Sequence, residues 1–158
     1  DEFTKLVVLE IGAGGKHYSS IDNMICNAVG DTILYAPLGV NGEYEIPVGI
    51  RAIGPRAFAN RTQLTKVIIP SYVNSIGESA FENCVSLTKI ELPEGLKILG
   101  EDAFSYCDAL EEIYLPDSIT EMAENTFNKY FKSDKNENCA ALCPVKNTAP
   151  PVVGRIHC

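Results

Sequence analysis

The 158-residue sequence lacks a long apolar run and contains few basic residues and histidines. Its apolar stretches are short, as in Val67–Ile69, whereas a membrane-spanning helix needs about 20 apolar residues, so we expect no membrane insertion. The 13 basic residues are outnumbered by 21 acidic ones, and a net charge of -8 argues against nucleic acid or an anionic membrane surface as partner. His17 and His157 have no triad-like sequence neighbours, so we predict no catalytic residues and no enzyme activity.

Cysteine is also sparse. Six cysteines are too few for a disulfide-scaffold protein, although they permit an oxidising compartment. A hydrophobic fraction of 46% and a charged fraction of 22% are typical of a globular chain, and the length suits one domain. The sequence begins at Asp1 with neither Met nor an apolar signal core, so we expect an export signal to have been removed.

A 23-residue repeat dominates the sequence. Several columns keep this step: Phe58, Phe81, Phe104 and Phe127; Ile46, Ile69, Leu92 and Leu115, each before Pro; Ile53, Ile76, Leu99 and Met122; and Gly54, Gly77 and Gly100. The repeat divides one continuous domain into an N-terminal cap with a hairpin-type irregular unit at 1–45, four repeats, and a C-terminal cap at 138–158. The repeats are 46–68, 69–91, 92–114 and 115–137.

A unit this short cannot enclose a core, so we expect each to wind once and to bury its apolar columns against the next coil. The alternation from Leu64 to Pro70 predicts a strand that proline ends, with successors at 87–93 and 110–116 in a parallel ladder. On the other side we expect inward apolar residues, a glycine turn and a short helix at 78–83. The phenylalanines should stack as a spine.

The N-terminal cap is predicted to be irregular. The segments 3–11, 18–26 and 32–36 indicate strands, the last two joined by a turn near 27–31. The segment 43–47 should add a strand in register with the first repeat, because Tyr44 lies 23 residues before Val67. Near the C-terminus, we expect a final strand at 140–145 and a closing segment at 149–153.

The units IPSYVNSIGESAFENCVSLTKIE (69–91) and LPEGLKILGEDAFSYCDALEEIY (92–114) resemble the BspA-like, Treponema pallidum-type leucine-rich repeat. The likeness covers roughly residues 18–153, and the segment 18–27 with its successors is similar to the hairpin unit of that family. The sequence departs from the family pattern at Ala123, which stands where the turn glycine is expected, and at Arg61, which lies near the position of the cysteine. The resemblance implies a leucine-rich-repeat solenoid of stacked 23-residue coils, with a parallel β ladder on one face and short strands or helical turns on the other.

The same resemblance implies a functional class. Members of this family are typically exported surface proteins of host-associated bacteria and of some protist parasites, and they are associated with adhesion and protein binding. It therefore implies a secreted or cell-surface protein with a protein or glycan ligand. The repeat pattern by itself does not identify that ligand.

Sites of chemistry are hard to find in the sequence. The glycine-rich segment 12–16 lacks the first glycine of a phosphate-binding loop, where Glu10 stands, and the hydroxyl residue after its lysine, where His17 stands. Acidic residues recur on successive coils and favour a solvated face over the paired carboxylates of a glycosidase: Glu78, Glu82, Glu101, Asp102, Glu121 and Glu124. We predict no cofactor.

Cysteine allows two kinds of site. A set near the C-terminus has a vaguely metal-like spacing: Cys139, Cys143, His157 and Cys158. Adjacent residues chelate tetrahedral zinc poorly, so we predict no metal and favour a disulfide from Cys158 to Cys139 or Cys143. Cys84 and Cys107 occupy equivalent places in neighbouring coils, either as a disulfide or as two buried thiols. We expect thiols there and at Cys26, because inward-stacked side chains rarely reach the torsion of a bridge.

The outward side chains of the strand ladder are the predicted binding surface, called here the ladder face: Glu43, Glu45, Lys66, Ile68, Lys89, Glu91, Glu112 and Tyr114. Their neighbours Val67, Ile90 and Ile113 should point inward. Repeat arrays recognise ligands on such sheets, which predicts a non-enzymatic binding module. The alternative is a structural spacer of a larger surface protein. A spacer should show a uniformly polar face, whereas a binding module should mix apolar and charged side chains.

Overall fold

The computed structural model describes residues 16–123, 126 and 154–157, and within them it contains twelve short strands and no helix. In chain order these are β1 (Tyr18–Ile21), β2 (Met24–Asn27), β3 (Thr32–Tyr35), β4 (Gly42–Glu45), β5 (Ala52–Ile53), β6 (Leu64–Ile68), β7 (Ser75–Ile76), β8 (Lys89–Glu91), β9 (Ile98–Leu99), β10 (Glu112–Leu115), β11 (Glu121–Met122) and β12 (Gly154–His157). The strands from β4 to β9, together with β11, belong to stacked windings that repeat every 23 residues, so the predicted leucine-rich-repeat solenoid is confirmed.

The larger sheet has seven strands in the order β1-β2-β3-β5-β7-β9-β11. From β3 onward its strands are parallel, and the register brings Ile53 opposite Ile76 and Leu99 opposite Met122. Ile53, Ile76 and Leu99 are all buried, as their column in the sequence predicted. These two-residue strands form the side of the solenoid opposite the predicted ladder.

The N-terminal unit is a hairpin followed by a third strand. The predicted single strand at 18–26 is wrong, because Asp22 and Asn23 both have positive φ, at 48° and 65°, and turn the chain back between β1 and β2. Such a two-residue turn matches the twist of an antiparallel pair. The predicted turn near 27–31 is confirmed, and the Asn27 side-chain oxygen accepts hydrogen bonds from three successive N–H groups, those of Gly30, Asp31 and Thr32.

The ladder is a parallel sheet of three strands, β4-β6-β8, in the predicted register. Val67 and Ile90 point inward, are 0% and 3% exposed, and lie opposite each other. The expectation that the strand at 110–116 continues this parallel ladder is wrong. β10 forms a separate two-stranded sheet with β12, which runs antiparallel to it.

The third side of each coil is a run of tight turns, so the helix predicted at 78–83 is wrong. In a helix each N–H bonds four residues back. Here the alternate N–H groups of Ser79, Phe81 and Asn83 donate instead to carbonyl oxygens of the following coil, at 2.8, 2.9 and 2.8 Å. Ser79 and Asn83 have left-handed φ values of 51° and 59°, which are incompatible with a right-handed helix. The N–H groups of this run of turns therefore form hydrogen bonds between coils, where a helix would form them within one coil.

Phenylalanine rings stack along the inside of the solenoid. The ring centroids of Phe58 and Phe81 are 5.1 Å apart with planes 18° from parallel, and those of Phe81 and Phe104 are 5.6 Å apart at 7°. All three rings are at most 2% exposed, and Tyr44 packs against Phe58 at 6.1 Å. The predicted spine is confirmed for these residues. Phe127 lies outside the described residues.

Glycine recurs where neighbouring coils come closest. A β-carbon on Gly77 would lie 2.7 Å from the backbone nitrogen of Pro55, and one on Gly100 would lie 2.5 Å from that of Glu78. Backbone atoms cannot move aside, so a larger residue would push two coils apart. The sequence predicts a glycine turn at this place, and the close approach of the neighbouring coil is the reason that it requires glycine.

Several sequence expectations concern residues that lie outside the described part of the chain. They include the strand at 3–11, the glycines of the segment 12–16, the cap elements at 140–145 and 149–153, and the thiols of Cys139, Cys143 and Cys158. The division at 1–45, 46–137 and 138–158 stays a prediction.

Removing one ring from the column should be costly. Phe81→Ala empties a fully buried site between two stacked rings, and we expect it to lower the free energy of unfolding by about 3–5 kcal/mol in urea denaturation. Ile98→Ala, at a side chain 41% exposed, is the matched control and should cost well under half as much. Equal losses for the two variants would contradict a ring column that stabilises the stack.

A second prediction concerns backbone strain at Tyr106. Its φ is 60°, and the equivalent residues of the two preceding coils, Asn60 and Asn83, have φ of 64° and 59°. Asparagine tolerates the left-handed region better than an aromatic residue. We expect Tyr106→Asn to raise the free energy of unfolding by about 1 kcal/mol, measured by urea denaturation. The control Tyr72→Asn changes an exposed tyrosine without positive φ and should not stabilise; a stability loss in Tyr106→Asn would refute the strain.

Asp31 should make the N-terminal unit acid-sensitive. Its carboxylate accepts hydrogen bonds from the side chains of Asn27 and Thr32, which hold its pKa below the ordinary value of 3.8. The stability linked to this shift is complete above pH 3.8 and is lost as the pH falls through the lower folded-state pKa. Asp31→Asn keeps an acceptor oxygen, so unfolding measured between pH 2 and 5 should depend less on pH than in the wild type. An unchanged pH dependence would show that Asp31 does not contribute.

Candidate functional site

The ladder face is carried by alternate residues of β4, β6, β8 and β10. Successive side chains of a strand point to opposite sides of the sheet, so the buried Val67 fixes its neighbours Lys66 and Ile68 as outward. Glu43, Glu45, Lys89 and Glu91 are exposed, whereas Lys66 and Ile68 are partly exposed. The structure thus places the predicted residues of the first three strands on one outward surface.

The register arranges these side chains in two columns. Glu43 lies opposite Lys66, and Lys66 lies opposite Lys89 in the next coil. In the second column, Ile68 lies between Glu45 and Glu91. The Cβ atoms of directly opposed residues in a sheet are about 5 Å apart, so each column is a continuous row of neighbouring side chains.

The charges on this surface pair with one another. The ammonium of Lys66 lies 3.2 Å from a carboxylate oxygen of Glu43, and that of Lys89 lies 2.7 Å from Glu91. The hydrogen bond from Lys89 and its positive charge lower the pKa of the Glu91 carboxyl. Exposed pairs of this kind add little stability. Their effect is to compensate the two lysines, which would otherwise repel each other across the ladder.

Two apolar side chains interrupt the charged surface. Ile68 is partly exposed between two glutamates, and Tyr114 is 41% exposed on β10. Because β10 is not hydrogen-bonded to β8, the structure brings six of the predicted residues together on three strands and places Tyr114 on a separate sheet. Glu112 also lies on β10, paired with His157 in the backbone register.

The described cysteines are thiols that pack in the interior. Cys26, Cys84 and Cys107 are free and buried, so the buried-thiol alternative is confirmed over the disulfide. The Cys84 and Cys107 S–H groups donate to the carbonyl oxygens of Phe58 and Phe81, each at 3.2 Å. Burial raises the pKa of Cys84 to about 12 and also raises that of Cys107, so neither thiol is an activated nucleophile.

Other classes of site are not seen in the described residues. Within them, no group of three or more histidine, cysteine or acidic side chains is arranged to hold a metal ion. No helix in that part of the chain is long and apolar enough to span a bilayer. Of the recurring acidic residues, Glu78, Glu101 and Glu121 are exposed, and Glu82 and Asp102 are partly buried. Glu82 forms an ion pair with Arg56 at 3.0 Å, and Glu124 lies outside the described residues.

Sequence reasoning missed the environment of Arg61. The repeat pattern marks this residue only as a departure from the cysteine column, whereas the structure buries it to 3% exposure. It also missed exposed apolar residues away from the ladder, among them Val29 at 81% and Val48 at 86%. A charged residue in an otherwise apolar column was the available signal for Arg61.

Comparison with solved structures finds bacterial proteins of the same architecture. A leucine-rich cell-surface protein from Faecalibacterium prausnitzii A2-165 is 32% identical with a TM-score of 0.67, and the match covers 75% of this chain and 32% of that one. A leucine-rich repeat protein from Bacteroides ovatus is 31% identical with a TM-score of 0.56, covering 77% and 30%. The pneumococcal vaccine antigen PcpA is 22% identical with a TM-score of 0.72, covering 77% and 30%, and shows the fold alone.

The chain spans about a third of the length of these three proteins. No curated protein matches it significantly. The profile described as the BspA type leucine-rich repeat region matches residues 41–140 in six copies. That match spans more than half of the chain and includes the coils that stack on the phenylalanine column, and the chain therefore belongs to the BspA type leucine-rich repeat family.

Proposed function

We propose that this chain is a non-enzymatic binding module of a cell-surface or secreted protein of a host-associated bacterium. It recognises a protein through the ladder face, as in adhesion to a host surface. The observation that carries this proposal is the mixed composition of that face, where Ile68 lies among charged residues of three adjacent strands.

A three-stranded sheet with mixed outward side chains suits recognition of another protein. Interfaces combine an apolar centre with a polar rim, and here Ile68 is surrounded by Glu45, Lys66 and Glu91. The paired charges can exchange partners with complementary groups on a ligand, which contributes to specificity and orientation more than to affinity. A glycan ligand is less well supported, because the three ladder strands present no outward aromatic platform.

The spacer alternative predicts a uniformly polar face. The partly exposed Ile68 does not fit that description, so the composition of the three-stranded face favours a binding module. The Faecalibacterium prausnitzii relative is described as a cell-surface protein, which supports an exported location for this one. The proposal concerns this module, since the relatives are about three times longer.

The test is affinity capture from host-cell surface extracts, read by quantitative mass spectrometry. The immobilised chain is compared with a ladder-face variant, Lys66→Ala/Lys89→Ala/Tyr114→Ala. The matched control is Arg51→Ala/Lys97→Ala/Tyr72→Ala, which removes two bases and one exposed tyrosine away from the ladder. We expect at least one protein whose recovery falls roughly tenfold or more with the ladder-face variant, a loss of about 1.4 kcal/mol, and is unchanged with the control.

Two outcomes count against the proposal. If the wild type and the ladder-face variant capture the same proteins equally, the ladder face is not the binding surface. If the wild type captures nothing above the bare resin, the spacer alternative is favoured. Circular dichroism of all three proteins shows that lost capture does not reflect unfolding.

A further inference from the structure

Arg61 stands alone as a charge in an apolar column. Its equivalents 23 and 46 residues later are Cys84 and Cys107, whose thiols donate to carbonyl oxygens of the preceding coil. At the same place in the first repeat, the structure buries a guanidinium with a residue exposure of only 3%. A full positive charge thus lies inside the wall of the solenoid, next to the N-terminal unit.

The donors of this guanidinium are only partly satisfied. Nη1 donates to the carbonyl oxygen of Ala59, and the ring of Tyr35 lies 4.5 Å from the guanidinium carbon, facing it. Nε and Nη2 are fully buried, and no acceptor for either is found in the described chain. Arg61 also forms no ion pair with the carboxylates of residues 16–123.

This arrangement is energetically unusual. A buried charge without a counter-charge is strongly unfavourable, and each buried donor without an acceptor adds to the cost. Contact with Tyr35 compensates part of the charge through the ring face, but Nε and Nη2 still lack an acceptor. Burial correspondingly lowers the pKa of Arg61. The cost is removed if an anion reaches the free donors.

The free donors are a matched pair. The Nε and Nη2 hydrogens lie parallel on one edge of the planar guanidinium, with the spacing that two oxygens of one carboxylate require. The ring of Tyr35, which is only partly buried, lies over the guanidinium and separates it from solvent. Tyr35 lies 23 residues before Phe58, so the repeat would place its ring in the phenylalanine column. Its ring lies on Arg61 instead, and the ring of Tyr44 packs against Phe58.

We propose that Arg61 is a binding site for a single carboxylate, held by two hydrogen bonds from Nε and Nη2, with the Tyr35 ring moving aside to admit it. The carboxylate belongs either to a small free acid or to an acidic side chain of a bound polypeptide. The site lies apart from the ladder face and does not rest on the proposed function.

The test follows the Nε–H resonances of the four arginines by ¹⁵N NMR while a carboxylate is added. One arm uses sodium formate at constant ionic strength, balanced with sodium chloride. The other uses the peptide N-acetyl-Gly-Glu-Gly-amide and its Gln counterpart. Arg56, exposed and paired with Glu82, is the internal control. Arg61→Cys, which copies the residue of the next two coils, identifies the Arg61 resonance; if it does not fold, substituting Arg51, Arg56 and Arg155 by Lys identifies it by exclusion.

We expect the Arg61 resonance to shift or split saturably while that of Arg56 does not. In thermal unfolding, the same carboxylate at tenfold its dissociation constant should raise the wild-type midpoint by roughly 4 °C and leave Arg61→Cys unchanged. Saturation by formate alone identifies a free acid, and saturation by the Glu peptide but not its Gln counterpart identifies a polypeptide side chain. The proposal is overturned if neither carboxylate gives a saturable change, as when water satisfies the donors, or if chloride alone gives the same change.

Discussion

Contact between successive coils is the interaction on which this structure depends. No single coil has a core, because each ring of Phe58, Phe81 and Phe104 is buried by the rings or side chains of its neighbours. Backbone groups follow the same rule, since alternate N–H groups of the turn runs at 56–60 and 79–83 donate to the following coil. The sequence spacing of the stacked side chains must therefore equal the spacing of the backbone groups that form hydrogen bonds between coils. A repeat of constant length is the simplest sequence that meets both requirements.

The same constraint explains which features could be predicted. Columns such as Ile53, Ile76 and Leu99 were readable because burial recurs at one step, and alternation around Val67 was enough to assign outward and inward residues. The short helix was a wrong expectation, since Ala80 and Phe81 fit the inside of either a helix or a turn run. The left-handed φ of Ser79, a residue without special preference for that region, has no signal in the sequence.

The remaining misses involve residues that break the period. β12 has no equivalent in the repeats, so its pairing with β10 could not be inferred from them. Arg61 was visible as an exception, but its burial and its contact with Tyr35 depend on how the N-terminal unit meets the first repeat. On the ladder face, the sequence predicted the surface, whereas the ion pair between Lys66 and Glu43 depends on the register of two strands.

The opposite direction of β12 has a consequence for assembly. The ladder strands β4, β6 and β8 run parallel, so a further coil, or a second molecule stacked end to end, would add another parallel strand at this end of the stack. An antiparallel strand already uses the hydrogen-bonding groups along one edge of β10, from Glu112 to Leu115. Occupying that edge limits uncontrolled growth of the sheet into filaments, a hazard that any protein built from stacked strands must suppress.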